Sequence, residues 1–152
     1  MLLHPHRSHF RRYCPTLPFV NVDWVREHCL SFPHATEQVT WGIDLTFRIA
    51  GKIFAVTVLE PARVWLSFKC SPESFAELTE RPGIIPAPYM ARAQWVALET
   101  RDALTVNELT ELLRHSYDMV AARLPKKVRQ ALEQKSNRTK HKVKSRKARR
   151  RA

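Results

Sequence analysis

The last eighteen residues, KSNRTKHKVKSRKARRRA (135–152), hold ten Lys or Arg and no acid. Side chains of this kind neutralise phosphates and release condensed counterions, which is the chemistry of nucleic-acid attachment. A solvated extension is the plain alternative. An anionic membrane surface is a third, but no apolar anchor accompanies the run. At the other terminus, HPHRSH (4–9) brings His4, His6 and His9 close together, with Cys14 nearby. Imidazoles so spaced chelate zinc or nickel, yet a proline-bearing arm fixes no geometry, so no metal site is assigned. Catalysis finds little support. The chain has three glycines, no Gly-rich phosphate loop and no nucleophile elbow. The body's histidines are His28, His34 and His115, and His115, beside the apolar stripe of the last helix, reads as an ordinary surface or boundary histidine. The expectation is a non-enzymatic protein without a cofactor.

These groups must be carried by a folded body. The chain has 152 residues, 26 Lys or Arg, 14 Asp or Glu and a formal charge of +12. Residues 20–125 hold ten cations against thirteen acids, a balance of −3, so the positive charge sits in the tails. Three cysteines with no CxxC pair suit a reducing compartment, and no apolar run approaches the ~20 residues of a membrane span. Residues 1–18 lack the apolar stretch of a secretory signal. A cytoplasmic monomer is expected.

The hydrophobic period changes along the chain. Asn21 caps a helix to about Ser31, ended by Pro33. QVTW (38–41), LTFRI (45–49), KIFAVTV (52–58) and RVWLSFK (63–69) read as an antiparallel meander, with turns at Gly42 and Ala50-Gly51. Its alternation places Arg48, Arg63, Trp65 and Lys69 on the face opposite the apolar residues, either a stacking and phosphate-contact surface or a solvated face with one aromatic covered by a helix or by the connector. SPESFAEL (71–78) starts with Ser71 as cap and Pro72 at the first helical position. QWVAL (94–98) is one more strand. Residues 105–124 form a long helix opened by a Thr105–Glu108 capping box. The fold class is α+β, with helices on one face of an antiparallel sheet. Residues 1–20 read as a disordered extension, 21–127 as the domain, and 128–152 as a basic disordered tail, with at most a turn or two of helix reaching Leu132.

Several segments together resemble the MmcQ/YjbR family of small bacterial proteins: VDWVREHCLSFPHATEQ, WG, TFRIAGKIFAV, LSFKCSPESFAEL, IIPAPYMARAQWVAL and LTVNELTELLRHSYDMVAARLPKK, in order over about 21–127. The resemblance implies a CyaY (frataxin-like) α+β sandwich and DNA binding by a double-wing arrangement. It also implies that PAPYMARAQW is the connector into the final strand, stiffened by Pro86 and Pro88. Tyr89 and Arg92 would then stand at a sheet edge, while Trp95 packs down toward the helices. Family members often carry Asn-Lys where this chain has Ala91-Arg92, so the cation is kept and the amide lost. Iron binding, which a frataxin-like fold brings to mind, is rejected because the first helix offers only Asp23 and Glu27.

The combined expectation is nucleic-acid binding, DNA ahead of RNA. Its contacts would be Lys52, Lys69, Tyr89 and Arg92 on the body, then Lys126, Lys127, Arg138, Lys140, Lys142, Lys144, Arg146, Lys147, Arg149, Arg150 and Arg151. The alternative is a protein-interaction module, or a site for a small anionic ligand between sheet and connector, with an incidental tail.

Overall fold

A computed structural model of the chain describes residues 20–149; the N-terminal histidines, Arg150 and Arg151 lie outside them. The order of elements is α1 (Val22–Leu30), β1 (Ala35–Thr40), β2 (Asp44–Ile49), β3 (Lys52–Val58), β4 (Leu66–Lys69), α2 (Pro72–Thr79), β5 (Ile84–Pro86), a 3-10 turn (Ala91–Ala93), β6 (Trp95–Leu98), α3 (Val106–Ala122) and α4 (Lys126–Arg149). The sheet is antiparallel throughout, in the order β1-β2-β3-β4-β6-β5.

Local chemistry sets the helix starts. The Asn21 side chain accepts from the Trp24 amide, Ser71 accepts from the Ser74 amide, and the Thr105–Glu108 box is closed in both directions. The β2–β3 hairpin turns on Ala50 and Gly51, both at positive φ (47° and 78°), the pairing that a right-twisted hairpin prefers. Phe54 is the extra residue of a bulge: Phe47 pairs with Ala55, and Arg48 with Ile53. The bulge lets Phe54 and Ala55 both enter the core beneath the helices. There Phe54 meets Phe32, Phe47 and Tyr117 at ring separations of 5.5–6.4 Å. The buried Ser116 hydroxyl donates to the Phe54 carbonyl (2.6 Å) and accepts from the Lys69 amide (3.0 Å), so α3 satisfies backbone groups of two strands.

Three expectations need correction, and one open alternative is decided. The strand read as 63–69 starts at Leu66, and β5 has no counterpart in the sequence pattern. Trp95 is buried, but on the face away from the helices, with Ala87, Ala97, Ile53, Val56, Val64, Ile85 and Met90. The β5–β6 connector folds over that face and makes a second small core, which simple alternation does not register. Trp65 is a covered aromatic, 4 % exposed: its Nε1 donates to the Thr100 carbonyl (3.0 Å), and the Arg101 guanidinium lies over its ring. Finally, residues 128–149 are helical rather than a disordered tail. Between 126 and 149 there is no Pro or Gly, and Lys, Arg, Gln, Ala, Glu and Leu are strong helix formers.

Candidate nucleic-acid interface

α4 leaves the body at Pro125, whose carbonyl accepts from the Val128 and Arg129 amides. Val128 and Leu132 pack on the core, and Leu132 and Ser136 line a cleft of 330 Å³ together with Ile49, Tyr117 and Arg129. Beyond Ser136 the helix is exposed as far as Lys147. The whole element carries eleven Lys or Arg and one acid, Glu133. Lys126, Lys127, Arg138, Lys140, Lys142, Lys144, Arg146 and Lys147 all face solvent, and Arg149 is its last residue. None of these eight solvent-facing cations joins the four ion pairs found among the described residues.

The body's own cations sort cleanly. Arg26, Arg63, Arg81 and Arg114 are paired with Glu37, Glu99, Glu108 and Asp118. Arg48 donates to Thr40, Thr46 and the Gly51 carbonyl, and Arg101 lies over Trp65. Lys69 points inward: it is 7 % exposed, and its ammonium donates to the Ala93 carbonyl. Burial, then the Arg123 charge, pushes its proton affinity below the ordinary lysine range. That leaves Lys52, Arg92 and Arg123, exposed and without an acidic partner among the described residues.

Antiparallel pairing brings these three to one end of the molecule. Lys52 opens β3 opposite Ile49, which lines the α4 cleft. Arg92 sits in the 3-10 turn just before Trp95, the partner of Lys69 at the end of β4. Arg123 caps the C-terminus of α3, two residues before Pro125. These three cations thus gather where α4 departs. Of the body contacts read from the sequence, Lys52 and Arg92 belong to this surface and Lys69 is withdrawn from it. Arg123 joins it with no signal in the sequence to mark it out.

Tyr89 belongs elsewhere. It is fully exposed, at φ 64°, on the rim of a 450 Å³ cavity between the sheet's outer face and the connector. Val56, Val58, Val64 and Met90 wall the cavity, and Trp41 stands on its rim. Asp44 is its single ionisable side chain apart from the tyrosine, and no Lys or Arg lines it. A cavity does lie between sheet and connector, but its charge is opposite to what an anionic ligand needs.

Comparison with known proteins bears on this geometry. A family model described as YjbR matches residues 30–119. The chain belongs to the YjbR family. Among solved structures, this YjbR chain is similar to a Deinococcus radiodurans protein with a DUF419 domain: TM-score 0.66, 28% identity, covering 76% of this chain and 90% of that one. It also shares its fold with a Pseudomonas syringae protein: TM-score 0.56, 20% identity, covering 66% of this chain and 98% of that one. Comparison with curated proteins gives no match. The YjbR match takes in the cavity, Lys52 and Arg92 but ends before α4 begins. No helix among the described residues is long and apolar enough to cross a membrane.

Proposed function

We propose that this YjbR chain is a non-enzymatic nucleic-acid-binding protein, with α4 as its principal contact and the Lys52–Arg92–Arg123 end of the body as a secondary one. The observation that carries the reading is the continuity of charge. Eleven cations on one helix run into Lys52, Arg92 and Arg123 on the body, while the body's other cations are paired with acids, hydrogen-bonded to neutral groups, laid over a ring or turned inward. A cationic helix presents side chains to backbone phosphates over its whole length, and its attachment is independent of base sequence. The body, at −3 over 20–125, supplies no general attraction. Duplex DNA is the first candidate, because the double-wing arrangement that the family resemblance implies is a DNA-binding one.

The test is a titration of labelled duplex DNA, and of an RNA duplex of the same length, with the full chain and with a variant carrying Lys140, Lys142, Lys144 and Lys147 all replaced by Glu. The wild type binds DNA at low salt and the variant loses at least about tenfold in affinity. Equal binding by the two proteins would remove α4 from the interface. Tighter binding of the RNA duplex would reverse the choice of polymer.

A further inference from the structure

The cavity beneath the connector opens toward the end of the sheet away from Lys52, and none of the basic surface's cations lines it. Asp44 starts β2, opposite Val58 at the end of β3, whereas Lys52 begins β3 and Arg48 approaches the end of β2. It is therefore a site of its own, and its chemistry is specific.

Asp44 is half-buried, yet its carboxylate makes neither a hydrogen bond nor an ion pair among the described residues. By contrast, Glu37, Glu99, Glu108 and Asp118 each hold an arginine. Asp44 thus offers the cavity an unpaired carboxylate beside valine walls. Two aromatic residues line the same space. Trp41 is 69 % exposed at φ 52°, and Tyr89 is fully exposed at φ 64°. Left-handed backbone is unfavourable for bulky residues, and neither ring recovers the cost by burying itself. These two strained positions come from unconnected segments, the β1–β2 turn and the connector, and both line one cavity.

We propose that this cavity binds a small organic cation with an aromatic or apolar body. Aromatic faces carry negative potential and attract quaternary or primary ammonium groups, most strongly where water is thinned by apolar walls. Asp44 supplies the counter-charge, and the valines and Met90 take the ligand's body. The Ser67 hydroxyl, on the same lining, offers a neutral hydrogen-bonding group. A volume of 450 Å³ lies in the range of small-molecule sites and exceeds what a bare ammonium fills, so the ligand carries a ring-sized body. With no Lys or Arg in the lining, anions of the same size are excluded.

The experiment is a chemical-shift titration of the full-length protein with benzyltrimethylammonium, with benzyl alcohol and benzoate as neutral and anionic counterparts. Saturable shifts at the amides of Asp44, Ser67 and Met90 are expected for the cation, with benzyl alcohol weaker by about tenfold or more and benzoate silent. Asp44→Asn preserves shape and removes the charge; it is expected to weaken the cation about tenfold, with the amide spectrum elsewhere unchanged. Trp41→Ala, at an exposed ring, is expected to weaken it by a similar factor. Absence of saturable shifts at these amides, benzoate binding as tightly as the cation, or an Asp44→Asn variant binding like wild type would each overturn the proposal. None of these outcomes depends on whether α4 binds nucleic acid.

Discussion

The Lys69 ammonium donates to the Ala93 carbonyl, and this bond ties the end of β4 to the turn that carries Arg92. The two cations therefore behave oppositely although they lie on adjoining segments. Lys69 is spent holding the connector, and Arg92 is left in solvent. Lys69→Met removes the charge and keeps most of the apolar stem. Duplex affinity and its salt dependence should be unchanged, while Arg92→Gln should lower the salt slope by about 0.9 if Arg92 touches one phosphate. Anisotropy of a labelled duplex reads both. A reduced slope for Lys69→Met would show that the side chain swings out on binding.

Trp95 should be costly to remove even though it lies outside the main core. It is 7 % exposed in the small core under the connector, so Trp95→Ala is predicted to destabilise by about 3–5 kcal/mol in urea unfolding. Arg92→Ala, a few residues away, should stay within about 0.5 kcal/mol of wild type. A Trp95→Ala protein as stable as its parent would mean that the connector does not cover this face in solution.

Acid should weaken the start of α3. The Arg81 guanidinium, then the Thr105 amide and hydroxyl, hold the Glu108 carboxyl at about 2, below its ordinary 4.5. A carboxyl whose folded value is depressed adds stability above its unfolded value, and that contribution fades as pH falls toward the folded one. The Arg81 and Glu108 side chains are 38% and 40% exposed, so water screens the pair, and the contribution is under about 1 kcal/mol. Melting temperatures of wild type and Glu108→Gln should differ most above about pH 5 and converge toward about pH 2. A gap that stays constant over that range would assign the effect to packing.

What can be read from the chain follows the range of the forces involved. The caps at Asn21, Ser71 and Thr105 depend on residues three positions apart, and all three stand where the sequence places them. The β2–β3 hairpin is equally local. β5 is not: three residues ending in proline acquire strand geometry only by pairing with β6. Lys69 and Trp95 depart from expectation for one shared reason. Alternation tells two faces apart but does not say that a connector will cover the second. The α4 run shows a different limit. Its charge density argues for disorder while its residue types argue for helix, and only the anchoring of Val128 and Leu132 decides between them. Asp44 carries no signal in the sequence, because a single acid gains meaning only from the rings and valines that the fold puts around it.

The same conflict in α4 gives a prediction. Arg138 and Lys142, Lys140 and Lys144, and Lys142 and Arg146 are each four residues apart on one helix, and each such like-charge pair costs about 0.2–0.5 kcal/mol. A polyanion removes that cost. Amide hydrogen exchange over 138–147 should slow when a DNA duplex is added, while exchange in α3 stays the same. Equal exchange with and without DNA would mean that the helix gains nothing from phosphate.

The central claim is that α4 holds phosphates directly, and the salt dependence of binding measures this most closely. Log affinity for a duplex falls linearly with log salt, with a slope of about 0.9 per phosphate neutralised. The full chain is predicted to show a slope equivalent to several phosphates. Replacing Arg138, Lys142 and Arg146 by Gln should lower that slope by up to about 2.7, one phosphate for each cation removed. No binding by the full chain at low salt, or a slope that does not change in the triple variant, would contradict the account.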